Sequence, residues 1–311
     1  MSPTTDSSSN DVASSTGSDT VVQNAFADRY TLLGGIGVLV VVLVSIFAPY
    51  IAPTDPQATF ELMTPPNGYS EGDFTNDGTI DRVWHPLGTD SQGRDILTEL
   101  VYGARISLLV AFATVGFAFV VGTAIGLLAG YYRGWIDSLL MRYVDFQWAF
   151  PELVLAIAII AIAGGIGVVP VIIAVGFAFI DDFARIVRSE VLKIREEAYV
   201  TAARAVGMSP RRIMIREILP NVTGTITVQT TLLVPIAILW EAGLSFIGVG
   251  VAPTTPTWGL LLSDGRQFIN EAWWISVLPG LAILVTVLSF TLLGEGLREA
   301  FDVSDREVKD R

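Results

Sequence analysis

Long uncharged stretches alternate with short polar segments along the 311-residue chain. Five stretches each exceed 20 residues and consist mostly of Val, Ile, Leu, Ala, Phe and Gly. They are residues 30–54, 106–132, 153–180, 218–240 and 272–294. Because a helix needs roughly 20 apolar residues to cross the hydrocarbon core of a bilayer, the pattern predicts an all-α integral membrane protein with several transmembrane helices.

The stretch 153–180 decides the number of spans. Its 28 residues would extend about 42 Å as one helix, which is long for one span and short for two. Two helices fit if the first begins near Val144, the second reaches Phe183, and the glycine-rich turn Gly164–Gly167 joins them. This turn favours six transmembrane helices over five.

Basic residues predict the orientation but not the number of spans. With either five or six helices, the segment 181–217 lies inside, and 15 basic residues fall on the cytoplasmic side against 4 outside. This matches the positive-inside rule in both arrangements. With six helices the N- and C-termini are both cytoplasmic.

Composition excludes several kinds of chemistry. Only 16% of residues are charged, and the chain has no Cys, one His (His85) and two Lys. These counts exclude disulfides and His- or Cys-rich metal sites, and neither Lys lies in a phosphate-binding Gly-rich loop. We therefore predict no metal site and no cofactor in this chain. If ATP is used, another chain must bind it.

The charged segment 189–220 reads as a pair of short cytoplasmic helices. The first is expected to run to the residue before Gly207, which lies where a left-handed residue ends a helix. Ser209 is an expected N-cap, with Pro210 at the first helical position, and Pro220 is expected to stop the second helix. Such a compact basic surface suits docking to a partner, although a solvated interfacial helix fits the local pattern equally well.

The residue types within this segment are informative. Ala-Ala-x3-Gly at 202–207, followed by Leu-Pro at 219–220, resembles the signature loop of binding-protein-dependent ABC importer permeases. In that family the loop is a coupling helix that inserts into a cleft on the ATPase. Two positions depart from the family pattern, since Thr201 replaces a Glu and Glu217 replaces an apolar residue. The resemblance implies that the ATPase-coupling residues are Ala202, Ala203, Gly207, Ser209, Pro210, Arg211, Arg212, Leu219 and Pro220.

Other motifs resemble the second permease of dipeptide, oligopeptide and nickel importers. They are His-Pro-Leu-Gly-Thr-Asp at 85–90, Tyr-Gly-Ala-Arg-Ile-Ser-Leu at 102–108, Ala-Phe-Pro at 149–151, Leu-Ser-Phe-Ile-Gly at 244–248 and Ala-Trp-Trp at 272–274. The resemblance covers about residues 84–303. It does not separate peptide from nickel substrates, because both branches share these motifs.

The resemblance implies a type I ABC importer permease fold and a multi-pass position in the cell membrane. The implied partners are a second homologous permease chain, two ATPase chains that bind ATP and Mg, and an extracellular substrate-binding protein; nucleic acid is not among them. The expected division is a disordered acidic cytoplasmic tail (1–28), a first transmembrane helix (29–54), an external loop (55–102), a permease core with five helices (103–298) that includes the coupling segment (189–220), and a C-terminal tail (299–311).

Two carboxylates, Glu152 and Glu241, lie at helix edges within apolar sequence. Because intramembrane carboxylates are costly, both are weak candidates for the substrate path, against an alternative in which they are hydrated or paired with Arg. His85 is expected to be a turn residue of the external loop, and Trp273 and Trp274 to belong to an outer aromatic belt.

Two other classes of function remain. An ion-coupled secondary transporter would often show internal repeats, and none is evident. An intramembrane enzyme would need a catalytic pair, for which one external His and no Cys leave few candidates. Net charge of −12 with 17 of 19 basic residues as Arg further suggests a surface adapted to high salt.

Overall fold

The computed structural model describes residues 28–74 and 80–309, so nearly all of the tail predicted at 1–28 lies outside the described residues. The described chain is mostly helical. In chain order its elements are α1 (Arg29–Ile46), α2 (Ala48–Ile51), β1 (Gly68–Gly72), β2 (Asp81–His85), α3 (Ile96–Tyr132), α4 (Gly134–Trp148), α5 (Glu152–Ile162), α6 (Val168–Ala178), α7 (Ile180–Ile194), α8 (Ala198–Ala205), α9 (Pro210–Ile213), a π-helical turn (Met214–Ile218), α10 (Leu219–Phe246), α11 (Trp258–Gly265), a 3-10 turn (Arg266–Phe268) and α12 (Trp274–Lys309).

The region between α2 and α3 contains a two-stranded antiparallel sheet in which Gly68 pairs with His85. Helix α3 begins at Ile96, ten residues before the apolar stretch that predicted it. The reason is Asp95, whose side chain accepts a hydrogen bond from the Thr98 backbone N–H at 2.9 Å and caps the helix there. Polar residues in the first turns of α3 concealed this early start from a hydropathy pattern.

The predicted turn at Gly164–Gly167 is confirmed, since it separates α5 from α6, and Gly164 and Gly165 adopt positive φ. The helix before the turn was predicted to begin near Val144, but it begins at Glu152, so this prediction was wrong. Because Pro151 cannot continue the preceding helix, α4 ends at Trp148 and the chain bends by 97° into α5.

Helix α3 lies at the centre of the fold and packs closely against α7. An ideal Cβ at Gly122 would lie 2.6 Å from the Ile180 carbonyl oxygen, and one at Gly126 would lie 2.6 Å from the Ala184 carbonyl oxygen. Glycine at these positions therefore allows the two backbones to approach, as small residues do in membrane helix pairs. On the other side of the fold, α1 packs against α12 through Gly34.

Within the described residues, four helices are long and apolar enough to cross a membrane. They are Arg29–Ile46, Ile96–Tyr132, Pro210–Phe246 and Trp274–Phe301. The bent pair α4–α5 adds a fifth if it forms one span. The structure therefore supports a multi-pass membrane protein with four to five such spans.

Candidate functional site

The segment predicted to couple to a partner begins with a break that the sequence pattern did not indicate. The first helix of the expected pair is two helices, because α7 ends at Ile194 and α8 begins at Ala198. Arg195 lies in the break and donates to the Tyr131 carbonyl oxygen at 2.6 Å, at the end of α3. Arg204 of α8 donates to the Arg195 carbonyl oxygen at 3.2 Å. These bonds attach the segment to the central helix.

The end of α8 has the geometry that the sequence predicted. Gly207 has φ +80°, and its N–H donates to the Arg204 carbonyl oxygen at 3.0 Å. The Met208 N–H donates to the Ala203 carbonyl oxygen at 3.1 Å. This pair of bonds is the Schellman motif, in which a left-handed residue closes the helix.

The second helix begins as predicted, with Ser209 in an extended conformation and Pro210 at the first helical position. The Ser209 side chain makes no capping hydrogen bond. The expectation that Pro220 stops this helix was wrong, because the helix continues through a π turn into α10. In that turn the Leu219 N–H donates to the Met214 carbonyl oxygen, five residues back, and the wider turn accommodates the proline that an α-helical interior would not.

Three arginines are exposed at the start of this long helix, and no salt bridge joins them to another described residue. Arg211, Arg212 and Arg216 line a shallow surface cavity of about 230 Å³ together with Ser209 and Ile215. The remaining predicted coupling residues differ in how far they are buried. Ala203 is buried, Leu219 is half-buried, and Ala202, Gly207, Pro210 and Pro220 are exposed.

The two intramembrane carboxylates have different environments. Glu241 is fully buried and accepts hydrogen bonds from Ser107 Oγ at 3.1 Å and Ser245 Oγ at 2.7 Å. No described Arg pairs with it, and its contacts connect α10 to α3. Glu152 is exposed and lines a cavity of about 510 Å³ at the bend between α4 and α5. Of the two, only Glu152 is accessible to a solute.

Sequence reasoning missed a charged cluster at the other end of α3. Arg94 lies 2.7 Å from Asp90 Oδ2, 3.3 Å from Glu99 Oε2 and 3.5 Å from Asp264 Oδ2. Burial raises the pKa of the Asp264 carboxyl. This effect outweighs the nearby Arg94 guanidinium, which stabilises the charged carboxylate and lowers the pKa. Asp90 and Arg94 meet because they belong to one tight loop, in which the Arg94 N–H also donates to Asp90 Oδ1 at 2.8 Å, whereas Asp264 is brought to the cluster only by the fold.

His85 and Trp274 also differ from expectation. His85 is the last residue of β2 and is fully buried, with Nδ1 2.8 Å from Asp95 Oδ2, so it is not a turn residue. Trp274 is buried and donates from Nε1 to the Thr89 carbonyl oxygen at 3.1 Å. Only its neighbour Trp273 is exposed, as an aromatic belt would require.

These features define a multi-pass membrane protein with a compact polar region at one end of α3 and an exposed basic helical turn near the other. Residues 122–304 match the family described as binding-protein-dependent transport system inner membrane component, and residues 21–66 match the N-terminal TM domain of oligopeptide transport permease C. The chain belongs to this family of transport permeases. The resemblance predicted from the sequence motifs is confirmed.

Relatives in several bacteria are similar over most of their length. The chain is 40% identical over 281 residues to the di/tripeptide transport system permease protein DppC of Pseudomonas aeruginosa, covering 89% of each chain. It is 42% identical to the dipeptide transport system permease protein DppC of Alkalihalophilus pseudofirmus, covering 88% of this chain and 86% of the relative. It is 38% identical to the glutathione transport system permease protein GsiD of Pectobacterium atrosepticum, covering 86% of this chain and 85% of the relative.

The fold is similar to that of a solved ABC transporter. A chain in inward-facing structures of the MetNI methionine ABC transporter matches with a TM-score of 0.53 at 19% identity, covering 65% of this chain and 96% of that chain. At this identity the match establishes the fold alone. This fold agrees with the permease fold that the sequence predicted.

Proposed function

We propose that this chain is a permease subunit of an ATP-driven importer of di- and oligopeptides. The observation that carries the substrate class is the 38–42% identity to permeases of di/tripeptide, dipeptide and glutathione transport systems over more than four fifths of the chain. A nickel or metal-chelate substrate is the alternative within the same family.

In this function the chain forms the translocation path with a second homologous permease, while two ATPase chains bind and hydrolyse ATP with Mg. An extracellular binding protein delivers the substrate. The exposed side chains of Arg211, Arg212 and Arg216 support docking to an ATPase, because cations that pair with no described residue at the start of a long helix are available to carboxylates of another chain. The ATPase must bind one conformation of the permease more tightly than the other, since otherwise ATP binding shifts nothing.

Six spans with both termini in the cytoplasm complete the proposal. The sixth span would be α6 with the beginning of α7, because these helices follow each other after the turn at Gly164–Gly167 and the chain is apolar from Val168 to Ile180. A Ser8→Cys variant of this Cys-free chain tests the orientation. We expect an impermeant thiol reagent to label Ser8→Cys in lysed cells but not in intact ones; labelling in intact cells would contradict six spans.

Uptake by the reconstituted importer tests the function itself. We expect proteoliposomes that contain both permeases, the ATPases and the binding protein to accumulate radiolabelled Ala-Ala when ATP is supplied. Omitting the ATPase chains should abolish accumulation, whereas a secondary transporter would still respond to an ion gradient. Uptake of nickel in place of Ala-Ala would favour the alternative substrate.

A further inference from the structure

The bend between α4 and α5 forms a cavity of about 510 Å³ that is open to the surface of the described chain. Its lining is aromatic and apolar apart from one carboxylate. The lining residues are Trp148, Phe150, Pro151, Glu152, Leu153 and Trp240. Glu152 is the charged group of this lining and its side chain is exposed, so its environment indicates what the cavity could bind.

Contacts outside the cavity hold its walls in place. Gln147 Nε2 donates to the Phe177 and Ala178 carbonyl oxygens at 2.6 and 3.0 Å, which joins the end of α4 to the end of α6. The Trp240 ring packs edge-on against Phe179, with ring centroids 6.0 Å apart. The cavity therefore does not need a ligand to keep its shape.

The charges beside the cavity are unbalanced. The Glu152 carboxylate makes no hydrogen bond or ion pair with a described residue, and Asp182 lies close enough to interact electrostatically with it. Arg185 is the neighbouring cation, but it is shared between Asp145 at 3.0 Å and Asp181 at 3.9 Å. One guanidinium among these carboxylates leaves the cavity mouth net negative.

A buried acceptor adjoins the same cluster. Gln147 is only 5% exposed, and its Oε1 has no hydrogen-bond partner among the described residues. Its amide nitrogen lies 3.5 Å from Asp181 Oδ1. This oxygen is buried and Gln147 does not line the cavity, so Gln147 supports the cavity wall rather than contacting a ligand.

We propose that this cavity binds the free α-ammonium group of a peptide during its passage through the permease, with Glu152 as the counter-ion. Trp is the best aromatic partner for a cation. The Arg185 guanidinium already lies 5.1 Å from the centroid of the Trp148 ring, so Trp240 is the ring that the cavity offers to an ammonium group. An ammonium group supplies three donors, which suits a carboxylate that has no partner among the described residues. This assignment rests on the proposed peptide function and adds which end of the peptide is recognised.

The polar face of α10 gives the site a continuation. Thr225, Gln229 and Trp240 fall on one side of the helix at helical spacing, and all three are half-buried. Thr223 and Thr227 donate to carbonyl oxygens of their own helix, so they do not need partners elsewhere. The Gln229 amide makes no hydrogen bond with a described residue, and it lies about three turns before Trp240 on the same side of α10.

Titration of the purified permease–ATPase complex, without binding protein, tests the site directly. We expect Ala-Ala to change the tryptophan fluorescence and N-acetyl-Ala-Ala, which lacks the ammonium charge, to leave it unchanged. Glu152→Gln should weaken Ala-Ala binding about tenfold or more, as loss of a charged hydrogen-bond partner does. Glu152→Asp should retain most of the affinity, and Trp240→Phe should reduce the fluorescence change.

The matched control is Glu295→Gln, which removes an exposed carboxylate of α12 far along the chain from the cavity, and we expect it to bind Ala-Ala normally. Equal binding of Ala-Ala and N-acetyl-Ala-Ala, or unchanged affinity in Glu152→Gln, would overturn the site. Displacement of Ala-Ala by nickel chloride would also overturn it. Uptake of Ala-Ala by the wild-type importer is measured separately, so a failed site with intact uptake would leave the peptide function standing.

Discussion

The two polar regions of this permease satisfy their charges in opposite ways. Before α3, Arg94 is mostly buried and meets three carboxylates, one of them from α11. In the coupling segment, Arg211, Arg212 and Arg216 are exposed and make no salt bridge with a described residue. The first region uses its arginine to hold the chain together. The second leaves its arginines available to another chain, and this difference separates a structural cluster from a docking surface.

The same contrast appears in the caps of the helices. Asp95 caps α3 with its side chain and also binds buried His85. Ser209 stands at the corresponding position before α9 but its hydroxyl caps nothing. The region before α3 is therefore fixed by side chains, whereas the coupling segment is fixed mainly by its backbone and by the bonds of Arg195 and Arg204. Variants in the two regions should differ accordingly in stability.

The largest effect is expected from Arg94→Leu. This change leaves Asp90, Glu99 and Asp264 without their common cation in a largely buried setting, and removal of one partner of a buried ion pair typically costs about 3 to 5 kcal/mol. Thermal unfolding of the detergent-solubilised protein should therefore shift clearly to lower temperature. Arg82→Leu serves as the control, because that residue pairs with Glu71 at the surface and should have little effect. Equal unfolding temperatures for the two variants would contradict a structural role for the cluster.

A smaller loss is expected from Asp95→Ala, which removes the cap of α3 and leaves buried His85 without its partner. The cap alone is worth about 1 kcal/mol, and the unpaired imidazole adds about 1 to 3 kcal/mol. Ser209→Ala is the matched control, since its hydroxyl makes no capping bond and its loss should change unfolding by well under 1 kcal/mol. If Ser209→Ala destabilised the protein as much as Asp95→Ala, the contrast between the two caps would be wrong.

Gly207→Val should cost roughly 1 kcal/mol or somewhat more, because a β-branched residue resists the left-handed conformation. A Cβ at this position meets no atom within 4 Å, so the cost is conformational and not steric within the chain. We expect the protein to insert and fold, but uptake should no longer follow ATP hydrolysis, or the ATPases should dissociate. Gly243→Val is a control in a helical position that also has open space. Normal uptake with normal ATPase retention in Gly207→Val would contradict the coupling role.

Local geometry at this segment could be predicted from the sequence because it depends on neighbouring residues. Gly207 and Pro210 each restrict their own backbone, and the structure agrees at both positions. The effect of Pro220 could not be predicted from its neighbours. The π turn that accommodates it belongs to the long helix from 210 to 246 as a whole. The environment of Glu241 depends on Ser107, 134 residues away, and that of His85 on Asp95 and the Phe60 ring, which meet it only when the external loop folds, so no local pattern contains them.

The smallest change in stability, and the sharpest separation of the two regions, is expected from replacing Arg211, Arg212 and Arg216 together with Ala. No ion pair with a described residue is lost, and Ala favours helix, so the free energy of unfolding should stay within about 1 kcal/mol of wild type, as for most surface changes. If these arginines meet carboxylates of an ATPase, co-purification of the ATPase should nevertheless fall severalfold and become more sensitive to salt. The control is Arg298→Ala, an exposed arginine of α12, which should retain the ATPase. A triple variant that unfolds early would mean that the arginines stabilise the chain itself, and one that keeps both stability and ATPase would mean that the docking surface lies elsewhere.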